Sequence, residues 1–175
     1  MMTRSPTLSL RIADGIDRLS GGIGQAVAWL APFVVVAVFA LVVLRYVFGI
    51  GSVWLAESVI YAHAAMFLLA AAWTLRDNGH VRVDIFYADA SPRRKALIDA
   101  LGALLLLLPF ALWLFWLSWP YAARSWAILE RSHETSGLPA VFLLKSLIPL
   151  FAALLALQGV SQLIRALHAL SDGAR

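Results

Sequence analysis

Four stretches of this chain contain no Asp, Glu, Lys or Arg: residues 19–44, 58–75, 100–123 and 146–164. A helix needs about 20 apolar residues to cross the hydrocarbon of a bilayer, and lipid leaves no backbone polar group free to go unpaired. Each run is close to that length. The sequence therefore predicts an all-α membrane protein with four transmembrane helices at about 25–48, 54–75, 97–123 and 141–167. Composition agrees, with 62% hydrophobic residues, 14% charged residues and a mean hydropathy of +0.83, where soluble domains carry about 25% charged residues. No repeat or low-complexity tract divides residues 1–175, which read as a single domain.

Ahead of the first span, Leu8, Ile12, Ile16 and Leu19 recur at helical spacing while Arg11, Asp14, Asp17 and Arg18 occupy the other faces. That pattern predicts an N-terminal amphipathic helix over 8–20 lying in the membrane interface. Gly21, Gly22 and Gly24 would then permit a sharp turn into the bilayer. No cleavable signal peptide is recognisable, so a retained N-terminus is expected.

Lys and Arg set the orientation. One side holds Arg4, Arg11, Arg18, Arg76, Arg82, Arg93, Arg94, Lys95, Arg165 and Arg175; the other holds Arg45, Arg124, Arg131 and Lys145. The positive-inside rule puts both termini in the cytoplasm. The pI near 10 fits anionic lipid headgroups better than nucleic acid, because the basic residues are dispersed between spans. The absence of cysteine excludes disulfides, thiolate metal sites and a cysteine nucleophile.

The ionisable residues closest to the spans, Arg45, Glu57, His63 and Lys145, lie toward the outer ends of their helices. Arg45 closes the first span and Glu57 opens the second, at similar depth on neighbouring helices, which suggests a hairpin-pinning ion pair or a contact with a partner. Trp113, Trp116 and Trp119 form a stripe down the third span, open to lipid or to another protein's helices. A loop facing the other side of the membrane carries Glu130, Arg131, His133 and Glu134. Pro32, Pro109 and Pro149 fall inside spans and predict kinks. Only His63 and His133 share a side and depth for haem ligation, and His133 lies in a loop. No nucleophile, base and orienting group assemble into a catalytic set. A self-sufficient carrier would need polar groups near midplane and broken helices. The third and fourth spans offer only Pro109 and Pro149 at their centres, so the chain is expected not to conduct cargo by itself.

The connector "RDNGHVRVDIFY" (76–87) is the polar exception, with Arg82 and Asp84 alternating with Val81, Val83 and Ile85 at the period of a strand. The order Arg45-Tyr46-Val47-Phe48, Trp54, Glu57, then Gly79-His80-Val81-Arg82-Val83-Asp84, resembles the small membrane subunit of tripartite ATP-independent periplasmic (TRAP) transporters, the DctQ type. The resemblance covers about residues 25–167. Ala56 departs from it, standing where many such subunits carry a second acid before Glu57. Gly137-Leu138-Pro139 through Lys145, Pro149 and Gln158-Gly159 is similar to a branch labelled for mannitol or chloroaromatic compounds, a label that does not identify a substrate.

That resemblance implies a small, non-catalytic subunit of a sodium-coupled importer of organic acids in a bacterial inner membrane. Its implied partners are a large DctM-like TRAP permease subunit, a periplasmic substrate-binding protein and membrane lipids, with no cofactor, metal or nucleic acid. The large subunit would work as an elevator and this chain as its fixed part, with Gly79, His80, Arg82 and Asp84 docking the partner or adhering to lipid. The competing readings are a membrane anchor of a redox complex and a self-contained small channel.

Overall fold

The computed structural model describes residues 7–81 and 87–172, whose regular structure is entirely helical. The helices are α1 (Leu8–Ala28), α2 (Leu30–Val47), α3 (Val53–Arg76), α4 (Pro92–Gly102), a π-helical turn (Ala103–Leu107), α5 (Leu108–Ala127) and α6 (Val141–Asp172). They make four segments long and apolar enough to cross a membrane, because α1–α2 and α4–π–α5 each run on as one: Leu8–Val47, Val53–Arg76, Pro92–Ala127 and Val141–Ser171. The first and last described residues lie at one end of the bundle, here the terminal end, where Thr7 meets His168; the α2–α3 and α5–α6 connections form the other, the hairpin end.

Prolines account for both discontinuities. Between α1 and α2, Trp29 departs from the helix with ψ −11°, because Pro32 has no N–H for the carbonyl of Ala28 and its ring presses on that carbonyl. In the third span, Pro109 likewise deprives Leu105, and the N–H of Leu108 reaches back to the carbonyl of Ala103. That i→i−5 bond is the signature of a π turn. Gly159 of α6 accommodates the swelling, since a Cβ there would lie 3.0 Å from Leu107 Cδ2.

α6 is the centre of the bundle. It packs against α1, α3, α4, the π turn and α5, whereas α2 packs along α3 and, among the described helices, meets only α1 besides. The contact surfaces are small: Ala13, Ala62, Ala72, Ala100, Ala111, Ala152 and Ala166 are among the buried residues, and Leu154 and Leu155 are the largest apolar ones. Phe39, Phe67, Trp116 and Leu106 face outward. Lipid is as apolar as leucine, so helices in a bilayer gain by close backbone approach and leave bulky side chains to the lipid.

The glycines of α1 serve that approach and not a turn. Gly21, Gly22 and Gly24 lie inside one continuous helix, so the expected separate 8–20 helix is the first part of α1. A Cβ at Gly24 would stand 2.5 Å from Trp73, and one at Gly21 would meet the Arg76 guanidinium. The amphipathic face is also turned about: Asp14, Asp17 and Ser20 point into the bundle, while Leu8, Ile12 and Leu19 are exposed.

α3 ends in a Schellman motif. Asn78 takes φ +54°, its N–H bonds Leu75 O at 3.2 Å, and the Gly79 N–H bonds Thr74 O at 2.8 Å. The Asn-Gly pair of the connector is thus a helix stop. The strand-like alternation beyond it, including Arg82 and Asp84, lies outside the described residues apart from exposed Val81.

Close α1–α3 approach makes a contrast between neighbouring glycines. Gly24→Leu is expected to destabilise the bundle by about 1–3 kcal/mol through overpacking against Trp73. Gly22→Ala, which has open space around it, is expected to leave the melting temperature in detergent unchanged or slightly raised.

Candidate functional site

Polar side chains collect at the two ends of the bundle. At the terminal end, Asp17 of α1 accepts hydrogen bonds at Oδ1 from Ser161 Oγ (2.7 Å) and Gln158 Nε2 (2.9 Å), and at Oδ2 from Arg165 Nε (3.0 Å). Ser20 Oγ donates to Gln158 Oε1 at 2.7 Å, and Arg165 also reaches Asp14 at 2.7 Å. Arg76, at the end of α3, donates to the backbone carbonyl of Asp17 at 3.0 Å and pairs with Asp77 at 2.7 Å. Gln162 Nε2 donates to the carbonyl of Leu75 at 3.1 Å. One carboxylate therefore gathers donors from α6 while its backbone holds α3, fastening three helices together. Gln158, Ser20 and Ser161 are almost wholly buried, so each needs these partners to offset its desolvation.

At the hairpin end the 128–140 loop folds back onto Glu57. Ser132 Oγ and the Leu138 N–H both donate to its carboxylate, and Gly137 is required beside it because a Cβ would lie 2.7 Å from Glu57 Oε1. The loop is also stapled to α6: Lys145 Nζ donates to both carboxylate oxygens of Glu130, at 2.8 and 2.6 Å. The Tyr121 ring lies 4.4 Å from the same ammonium. The Lys145 hydrogen bonds, foremost, hold the Glu130 carboxyl below its usual range.

The expected Arg45–Glu57 ion pair is not formed among the described residues. Arg45 is exposed and lines a groove with Tyr46, Ser52 and Ala56. Glu57, one residue past Ala56, is turned about 100° around α3, toward the 128–140 loop. Of the loop residues expected to matter, Glu130 is structural, whereas Arg131 and Glu134 are exposed.

Between the two ends, Ser118, buried in α5, donates to its own Leu114 carbonyl at 2.7 Å, whereas the buried Tyr61 hydroxyl of α3 has no hydrogen-bond partner among the described residues. Among the described residues no three His, Asp or Glu side chains gather in a metal-binding group.

This arrangement of four spans, a Glu57-anchored loop and an Asn-Gly-capped connector coincides with a family match. The family model described as tripartite ATP-independent periplasmic transporters, DctQ component, matches residues 34–169. The chain belongs to that family. A similar curated protein is the C4-dicarboxylate TRAP transporter small permease protein DctQ of Vibrio cholerae serotype O1, 29% identical over 106 residues. The alignment covers 58% of this chain and 43% of that relative, so the chain spans less than half the relative's length. No solved structure matches it.

In this DctQ-family chain, Trp113, Trp116 and Trp119 are all more than half exposed on α5. Trp119 borders an apolar groove with Phe115, Trp126, Pro149 and Leu150. Gly79 and His80 lie at the α3 cap, where the His80 Nε2 approaches the Ala71 carbonyl at 3.3 Å. Sequence reasoning missed Asp17, Gln158 and Ser161 as a unit. The signal was present: Gln158, Ser161, Gln162 and Arg165 repeat at helical spacing, and Asp14 and Asp17 form the matching face of α1.

Two outcomes follow for the polar ends. Asp17→Leu is expected to cost about 1–3 kcal/mol in detergent unfolding, since it leaves the buried Gln158 amide donor unpaired and Ser161 with only the Ala13 carbonyl. Arg165→Ala, at a half-exposed partner, is expected to cost less than about 1 kcal/mol. In amide hydrogen exchange, Glu57→Ala is expected to speed exchange at Leu138 and its loop neighbours, while Arg45→Ala leaves them unchanged.

Proposed function

We propose that this chain is the small, non-catalytic membrane subunit of a sodium-coupled TRAP transporter that imports organic acids, acting as a scaffold for the large permease subunit. Family membership supports the transporter assignment. The observation that carries the scaffold reading is that α6 is fastened at both ends to other elements, by Asp17 at one and Glu130 at the other. An elevator moves one body against another that must keep its shape, and a four-helix unit tied at both ends resists splaying and tilting.

The inferred setting is a bacterial inner membrane with both termini in the cytoplasm, supported by the excess of Lys and Arg at the terminal end. The 128–140 loop would then face the periplasm, where a substrate-binding protein delivers its cargo. The C4-dicarboxylate for which the Vibrio cholerae relative is named supports an organic acid as the class of cargo. The exposed tryptophans Trp113, Trp116 and Trp119 and the connector around Gly79, His80, Arg82 and Asp84 are the proposed contacts with the large DctM-like subunit.

Uptake of a labelled organic acid by proteoliposomes holding this chain, the large permease and the binding protein is the direct test. Uptake is expected to require all three proteins and an inward sodium gradient, and this chain is expected to retain the large subunit on an affinity column. Full uptake without this chain would refute the assignment.

A further inference from the structure

A cleft of about 430 Å³ opens at the terminal end, between the end of α3, the start of α4 and the last turns of α6. Arg76, Lys95 and Arg165 stand on its walls; buried Ala96 and Ala166 line it beside buried Gln158, and exposed Pro92 and Ala169 line its mouth. We propose that this cleft binds the headgroup and glycerol region of an anionic phospholipid.

Three observations support that occupant. The first is depth. Arg76 is the last residue of the apolar helix α3, and Lys95 lies in the first turn of the apolar Pro92–Ala127 segment. Both therefore stand where hydrocarbon gives way to headgroups.

The second is charge. The acids on the wall are already engaged, Asp17 by Ser161, Gln158 and Arg165, and Asp99 by the Tyr87 hydroxyl at 2.9 Å. Lys95, in contrast, has its ammonium 5.4 Å from the Tyr87 ring and no carboxylate partner among the described residues. Exposed Arg93 and Arg94 and the positive end of α4 add to its field. A phosphate with net negative charge suits that field better than a zwitterion does.

The third is the lining. Pro92, Ala96, Ala166 and Ala169 next to Arg76 and Lys95 match a molecule that is charged at one end and greasy next to it. A free phosphate would leave that apolar lining wet, and an acidic protein segment would not need it. Small residues on α4 and α6 keep the space open.

The test uses the purified full-length protein in nanodiscs or detergent, titrated with phosphatidylglycerol or phosphatidylcholine and read by native mass spectrometry. Phosphatidylglycerol is expected to bind more tightly. Lys95→Glu, which reverses the free charge, and Ala169→Phe, which fills the cleft without changing charge, are each expected to weaken it by roughly tenfold. Ala169 is exposed, so its variant should fold. Arg11→Glu makes the same charge change on exposed α1 surface outside the cleft and is expected to leave binding unchanged, and excess inorganic phosphate is expected not to compete. Retained preference in both cleft variants would overturn the proposal. So would an equal loss in Arg11→Glu, which would mean diffuse attraction, or displacement by inorganic phosphate, which would mean a simple anion site.

Discussion

The polar contacts of this bundle stand at its ends because the bilayer penalises a polar group anywhere else. That penalty leaves few places for directional bonds, and the chain concentrates them on α6. Asp17 and Glu130 come from different parts of the sequence and hold opposite ends of the same helix. Between these two anchor points, packing depends on alanines and glycines, which bring backbones together but fix their relative slide only weakly. The end contacts set the register that the small residues then fill.

This division explains what is legible in the sequence. The number of helices long and apolar enough to span can be read directly, because a run without charges has one physical interpretation at that length. Which way each face points cannot. For residues 8–20, the spacing sends the apolar positions to the membrane interface and Asp14 and Asp17 to water, as for a helix lying on a surface. In the bundle those acids point inward to Gln158, Ser161 and Arg165, while Leu8, Ile12 and Leu19 stay exposed. A two-faced helix defines an axis between its oily and polar sides, but when lipid surrounds it in place of water the oily side no longer marks the inside. The glycines pose the same ambiguity: Gly21 and Gly24 suit a turn or a close contact equally well, and only the presence of Arg76 and Trp73 opposite them decides it.

Arg45 and Glu57 show a finer limit. Both stand at the hairpin end, as their places in the sequence imply, yet a shared depth does not bring side chains together. The residues of α3 that share a groove with Arg45 are Val53 and Ala56, the latter being the position at which this chain departs from the DctQ-type pattern of paired acids. Glu57, a third of a turn away, serves the 128–140 loop instead. For these two residues the depth along the bundle is thus legible in the sequence and the partner is not.

The π turn before Pro109 has a consequence for the third span as a whole. Buried small residues there fall at Ala96, Ala100, Ala103, Ala111, Ser118, Ala122 and Ser125. The step from Ala103 to Ala111 is one residue too long for a regular helix and would rotate the later positions about 80° off the face. The wider turn absorbs that surplus residue, so one smooth strip of small side chains meets α6 along the full span. The bulk is displaced to the far side, where Leu104, Leu105 and Leu106 all project outward. The proline thus works as a phase corrector, and the leucine run beside it is the slack it takes up.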